Sequence, residues 1–347
     1  MDVQSLIEEH DQSQFLDLLA QFPDQVQNAW EIGQRFEFDP GKINSVLVCG
    51  MGGSGISGDL LSQFLFHQSE VPIQSHRFYD LPSWVDERTL VITVSYSGNT
   101  EETVSCFREA NERSAQCVGL TSNGTIEYLA REQEHDVLVV PPGLPPRCAA
   151  GYLFIPLLFV LEQAGVAEVP GEEDYSEACE ELLSITKEFS PDSEENRALT
   201  IARRIQDSVP IVYGSEEITS VLAHRLKNQL NENAKMFAVS NVIPELHHNE
   251  IMGWEFLEES EDNWTTLFLR DAGEHSRIQR RFEITRQLLE PHVERIDEVQ
   301  GRGESLLARF LSLMLYTDYI SYYLAILRGK DPVAIGPIEQ LKEKLKE

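Results

Sequence analysis

Basic residues are scarce in this chain: 28 lysines and arginines stand against 58 aspartates and glutamates, a formal net charge of −30. Nucleic-acid binding needs a basic face, so that class is excluded. The same field gives no long-range help to an anionic substrate, and any anion site must override it locally. Much of the acidic surplus falls on helix surfaces and in runs such as Gly171-Glu-Glu-Asp174, a pattern that adaptation to high salt and plain solubility both account for. Cysteine is sparse too. Cys49, Cys106, Cys117, Cys148 and Cys179 are odd in number, widely spaced and without a CxxC pair, which argues against a disulfide frame and a thiolate zinc site. Cys49, closing an apolar strand, reads as core. Runs fit to cross a bilayer are also missing: Ala149 to Leu161 is too short and holds Pro156, while Leu306 to Leu327 carries Arg309 and Asp318 and reads as a core helix. The start, Met1-Asp-Val-Gln-Ser-Leu-Ile-Glu-Glu9, has neither the basic nor the apolar region of a secretory signal. The expected location is the cytoplasm, with no membrane and no nucleic-acid partner.

What is present is alternation. The 347 residues suggest two domains. Residues 1 to about 40 read as two amphipathic helices, followed by the strand Ser45-Val-Leu-Val-Cys49. An extended piece near Val71 to Ser75 precedes the strand from Thr89 to Ser95 and a helix from Thr100 to Asn111. Next come a strand Gln116 to Thr121, a helix to about Gln133, a strand Asp136 to Val140 and an apolar helix to Gln163. Two helices to about Asp207 lead to a second set: strand Val209 to Gly214, helix Ile218 to Glu232, strand Met236 to Val239 and strand Trp264 to Leu269. Strands alternating with helices of this length predict an α/β fold of two mainly parallel sheets flanked by helices, with domains at 1–165 and 166–347. Val46-Leu-Val-Cys-Gly50 and Pro210-Ile-Val-Tyr-Gly214 form a faint internal repeat.

Two turns carry anion chemistry. Gly50-Met-Gly-Gly-Ser-Gly-Ile-Ser-Gly58 joins a strand to a helix, which lets backbone approach a phosphate. No Gly-Lys-Ser/Thr follows, so it is not a P-loop, and no strand ending in an acid follows at the distance that holds a ribose. Ser95-Tyr-Ser-Gly-Asn-Thr100 gathers three hydroxyls, with Asn99 and Glu102 spaced as a capping box for the next helix. A plain, well-capped βα turn would look much the same. What favours an anion is that both turns lie at strand carboxyl ends, where such sheets bind ligands. The corresponding second-half turn, Gly214-Ser-Glu-Glu217, has lost its glycines and gained acids, so it is a poor anion site. Arg147, after the proline-rich Pro141-Pro-Gly-Leu-Pro-Pro146, is placed either to cap a helix or to stabilise negative charge beside the phosphate turns. Glu232 and His248 are suited to proton transfer, although by spacing alone they read as an exposed helix residue and a surface imidazole.

The full set of motifs resembles the bifunctional phosphoglucose/phosphomannose isomerase family, built from two sugar isomerase (SIS) domains. The matching pieces are Gly50-Met-Gly-Gly-Ser-Gly55, Ser95-Tyr-Ser-Gly-Asn-Thr-Glu-Glu102, Pro146-Arg147, Asn231-Glu-Asn-Ala-Lys235, His248-Asn-Glu250, Gly329-Lys-Asp-Pro332 and Ile338-Glu-Gln-Leu-Lys342. They run in family order over nearly the whole chain. The resemblance implies an aldose–ketose isomerase that interconverts glucose 6-phosphate and fructose 6-phosphate, and mannose 6-phosphate as well, through an enediol and without metal or cofactor. It implies that Gly53, Ser54, Ser95, Ser97 and Thr100 hold the phosphate and that Glu232 moves the proton between C1 and C2. Arg147 would stabilise the enediolate, Lys342 would reach the ring oxygen or hydroxyls, and His248 would help open the ring, supplied in trans within a homodimer. His247, beside the motif histidine, is expected to be structural. Val333 and Pro337 depart from the family pattern in the region that tunes access for mannose-configured substrate. Two alternatives stand beside this reading: a non-catalytic sugar-phosphate sensor, and a SIS isomerase for another sugar phosphate.

Overall fold

The computed structural model describes residues 2–257 and 263–345; residues 1, 258–262, 346 and 347, which the expected domain ranges include, lie outside them. Two compact units emerge, Gln21–Cys179, and Met1–Ala20 together with Glu180–Glu347.

In the first unit, strands β1 (Ser45–Gly50), β2 (Ile73–His76), β3 (Thr89–Val94), β4 (Gln116–Thr121) and β5 (Asp136–Val139) pair in the order β2-β1-β3-β4-β5, all parallel. Every residue of β3 is buried, and in β1 all but Ser45. Both faces of these strands are covered, which is why they read as unbroken apolar runs. The helix Ala150–Gln163 is buried almost all round and packs on the helix Phe22–Arg35. A Cβ on Gly33 would lie 2.2 Å from the Phe159 ring, so glycine is what lets these helices approach, and Trp30 meets the same ring edge-on at 5.0 Å. The strand order puts a topological switch point between β1 and β3, outside whose carboxyl ends ligands bind in open sheets.

In the second unit, β6 (Val209–Ser215), β7 (Val239–Ile243), β8 (Trp264–Arg270) and β9 (Arg295–Gln300) pair in parallel as β7-β6-β8-β9. Its core holds the helix Leu306–Leu327. Among the described residues this helix alone is long and apolar enough to cross a membrane, yet 94% of its most apolar window is buried inside the chain. Its charge is satisfied: Asp318 accepts from both terminal nitrogens of Arg225, Nη2 at 3.0 Å, with both residues buried. Arg225 also donates to Gln229 Oε1 at 3.1 Å.

The structure departs from the expected 1–165/166–347 division at two places. The first twenty residues belong to the second unit, and the boundary falls at Cys179/Glu180, inside the helix Glu172–Glu188. The physical reason for the first is that Phe15 stacks on Tyr322 with ring centroids 6.0 Å apart, while the Tyr322 hydroxyl donates to Asp11 Oδ2 at 3.0 Å. The leading region also holds three helices, Val3–His10, Phe15–Ala20 and Phe22–Arg35, where two were expected. The strand expected from Met236 begins only at Val239: Lys235, at φ 52°, closes the preceding helix, and Phe237 is three-quarters exposed. The helix Ser276–Leu289 and edge strand β9 had no sequence-based expectation, because each buries few residues and is otherwise polar.

Candidate functional site

At the first switch point two helices begin with no side-chain cap. The helix Gly52–Phe64 starts after Met51, and the helix Glu101–Glu112 starts after Thr100, and neither preceding side chain bonds the helix's own amides. Uncapped N-terminal amides and the positive end of the helix dipole suit an anion. Between them lie the hydroxyls. Ser95 Oγ and Thr100 Oγ1 are 3.0 Å apart, and Ser54 Oγ accepts from the Tyr96 amide at 3.1 Å. Ser54 and Ser95 are buried, Thr100 half-buried and Ser97 exposed. The predicted capping box does not form. Asn99 instead donates to the Ser97 carbonyl at 2.9 Å and accepts from the Thr125 amide and hydroxyl at 3.1 and 2.8 Å, so it serves the neighbouring turn. Gly98, at φ 71°, sends it there.

Arg147 joins this group. It lies in the short turn Pro146–Cys148 and is buried. A Cβ on Gly53 would sit 2.7 Å from the Arg147 amide nitrogen and 3.0 Å from its Cα, so the glycine turn and the arginine strap touch backbone to backbone. Gly53, Ser54, Ser95, Thr100 and Arg147 are therefore gathered in one unit, from three separate stretches of the sequence. Tyr96 had no sequence-based role. Its hydroxyl donates to the Pro141 carbonyl at 2.7 Å and accepts from the Leu144 amide at 3.1 Å. An aromatic at a strand end reads as core, and no signal in the sequence points to its partners.

The remaining predicted residues lie in the second unit on three separate elements. Glu232 ends the helix Ser220–Glu232 and is half-buried. Lys235 Nζ donates to the Glu232 carbonyl at 2.8 Å, the Asn233 carbonyl at 3.1 Å and the Asp331 carbonyl at 2.7 Å, tying this helix end to the segment before the last helix. His248 is exposed, on the turn Glu245–His248. That turn is held on both sides. Next to His248, His247 bonds Thr285 Oγ1 through Nε2 at 2.6 Å and accepts from Arg281 through Nδ1 at 2.8 Å. Burial first, then the charges of Arg281 and His248, hold the His247 pKa below that of a free histidine. Two residues after His248, one Glu250 oxygen accepts from the Tyr213 hydroxyl and the other from Asn241 Nδ2. Lys342 is exposed on the helix Gly336–Lys344, whose first turn contains Pro337.

The second switch point, between β6 and β8, is filled by the chain itself. The Thr219 hydroxyl accepts from the Ser215 amide at 2.8 Å and donates to the Leu269 carbonyl at 2.9 Å. Asp271 and Glu274 are buried there, paired with Arg309 and Arg270. Burial pushes the Glu274 pKa up, against the pull of Arg270. Carboxylates and a plugging hydroxyl leave this end unsuited to an anion.

Residues 42–142 match the SIS domain family, and residues 194–345 match the bacterial phospho-glucose isomerase C-terminal SIS domain. The protein is thus a tandem SIS-domain protein. A bifunctional phosphoglucose/phosphomannose isomerase of Caldicellulosiruptor bescii is 37% identical over 94% of this chain and 97% of its own length, and one from Thermoplasma volcanium is 34% identical over 96% and 99%. The chain belongs to the bifunctional phosphoglucose/phosphomannose isomerase family. The fold is also that of a crystallised hypothetical protein of Thermus thermophilus, with a TM-score of 0.74, 15% identity and coverage of 99% of this chain and 92% of that one.

Proposed function

We infer that the protein interconverts glucose 6-phosphate and fructose 6-phosphate, and mannose 6-phosphate and fructose 6-phosphate, by proton transfer through an enediol. The observation that carries this reading is the switch point of the first sheet. Two uncapped helix starts, the Ser54, Ser95 and Thr100 hydroxyls and a buried arginine converge there in a chain whose net charge opposes anion binding. Gly53, Ser54, Ser95, Ser97 and Thr100 hold the phosphate, with Arg147 beside them to stabilise the enediolate oxygen. Glu232 is the base that carries the proton between C1 and C2, a role typically worth ~10² to 10⁴-fold. His248 opens the ring and Lys342 meets the ring oxygen or hydroxyls.

The working form in this reading is a homodimer in which His248 of the partner subunit serves each site, and five free cysteines agree with a cytoplasmic setting. The test is turnover of fructose 6-phosphate in EDTA by wild type and Glu232→Gln. Metal-independent turnover that disappears in the variant, with hexitol 6-phosphate binding retained, is the expected result. Undiminished turnover in Glu232→Gln removes it as the base. Mixing inactive Glu232→Gln with inactive His248→Ala regains activity if the histidine acts in trans, and stays inactive if it does not.

A further inference from the structure

Tyr96 lies inside the phosphate turn, yet its side chain leaves the turn for the strap that carries Arg147. Of the seven strap residues 141–147, four are prolines, so only Gly143, Leu144 and Arg147 carry amide hydrogens. The Leu144 amide is used on the Tyr96 hydroxyl at 3.1 Å, and the hydroxyl's own proton goes to the Pro141 carbonyl at 2.7 Å. The tyrosine is 4% exposed, and burial raises its pKa, so the hydroxyl stays protonated and keeps both bonds. Its main chain is bound as firmly: the amide donates to Ser54 Oγ at 3.1 Å, and the carbonyl accepts from the Ser122 amide at 3.0 Å and the Ser122 hydroxyl at 2.6 Å. One residue thereby joins the glycine turn, the hydroxyl turn and the arginine strap. Beyond Arg147 the strap is gripped again. Gln25, buried, donates to the Cys148 carbonyl at 2.9 Å and accepts from the Gly151 amide at 2.7 Å.

We propose that Tyr96 is a positioning residue that couples the phosphate grip to the placement of Arg147, with Gln25 fixing the far side of the same strap. The inference rests on the assignment of Arg147 and the hydroxyl turn made above. Its consequence is a division of effects. Ser54, Ser95 and Thr100 keep their own partners when the Tyr96 hydroxyl is removed, so phosphate binding survives. The arginine loses a fixed position, so stabilisation of the enediolate suffers.

The experiment compares wild type, Tyr96→Phe, Gln25→Leu, Arg147→Ala and the Tyr96→Phe/Arg147→Ala double variant. Steady-state kinetics are run on fructose 6-phosphate, and affinities are measured for a hexitol 6-phosphate and for a five-carbon aldonate 5-phosphate, whose carboxylate mimics the enediolate. The expected Tyr96→Phe result is a kcat lowered about tenfold or more, KM and hexitol phosphate affinity within about threefold, and aldonate phosphate affinity lowered in step with kcat/KM. Gln25→Leu repeats the pattern from the other side. In the Arg147→Ala background the tyrosine change has no further effect on residual turnover, because it acts through the arginine. Unaltered kcat in Tyr96→Phe overturns the proposal, and so does an equal loss of both ligands, which marks a general loosening of the turn. Additive losses in the double variant overturn it as well. A wild type that binds neither ligand, or binds both without turnover, refutes the functional assignment and this inference together, an outcome distinct from a normal wild type with an unresponsive tyrosine.

Discussion

Substituting Gly98 by alanine attacks the hydroxyl turn at its most constrained point. The residue has φ 71°, and a Cβ there would lie 1.7 Å from the Asn123 carbonyl oxygen and 2.7 Å from its carbon. Two costs add. Holding a non-glycine residue in the left-handed region costs roughly 1–2 kcal/mol. Relieving an overlap with main chain costs about 1–3 kcal/mol more, since backbone cannot swing aside like a side-chain tip. The total is roughly 2–5 kcal/mol. If the turn moves to escape it, that energy must be supplied again each time substrate rebuilds the site, which lowers affinity about 30-fold or more at 1.4 kcal/mol per decade. The assay is KM for fructose 6-phosphate alongside calorimetric unfolding with and without substrate. Gly52→Ala is the internal control: its φ is also positive, 54°, but a Cβ there meets nothing within 4 Å, so only the first cost applies. A Gly98→Ala protein that matches wild type in both KM and unfolding temperature, or a Gly52→Ala change that is the more damaging of the two, would show that the turn does not depend on Gly98 in this way.

Asp318→Ala takes the carboxylate away from the buried Arg225 charge, leaving it the neutral Gln229, and is expected to lower unfolding free energy by about 3–5 kcal/mol, read by urea titration; replacing both charged partners by apolar residues of similar volume recovers most of it. Glu250→Ala removes both anchors on one side of the His248 turn, and the loss of hydrogen bonds worth about 1.5–3 kcal/mol lowers kcat roughly ten- to hundredfold, while hexitol phosphate binding stays as in wild type. His247 supplies a pH signature. Its folded pKa lies below that of the free side chain, about 6.5. The unfolded chain therefore binds the proton first, and the stability His247 contributes is complete above pH ~6.5 and lost as pH falls toward its folded value. His247→Gln, which cannot titrate, should flatten that part of a plot of unfolding temperature against pH; an unchanged slope contradicts the assignment.

Where turn chemistry is local, the sequence was legible. The glycines of Gly50–Gly55 and the hydroxyls of Ser95–Thr100 announced a strand-turn-helix at each place, and the structure has one at each. Asn99 misled because the spacing to Glu102 is that of a capping box, whereas the left-handed Gly98 turns the side chain toward Thr125. Tyr96 was invisible for the opposite reason: its partners Pro141 and Leu144 lie 45 and 48 residues away, and no periodicity encodes such a bond. Glu250 stands out in the sequence only as part of a motif, and its use as an anchor depends on Tyr213 and Asn241 arriving from two neighbouring strands. The edge strand β9 escaped because a strand rich in charged residues resembles any exposed segment. The placement of the first twenty residues could not be read either, since a short amphipathic helix specifies that it must be covered and not by what.

That placement bears on how the protein is made. Asp11 finds its partner in Tyr322, 311 residues later in the chain. At about 5–20 residues per second of synthesis, roughly 15–60 s separate the emergence of one from the other. Throughout that interval Phe15 lacks the Tyr322 ring on which it stacks, and over the later part of it Gln21–Cys179 already holds every strand of its own sheet. A ribosome-bound nascent chain should therefore yield a protected fragment beginning near residue 21, with the leading helices open to protease until the long helix appears.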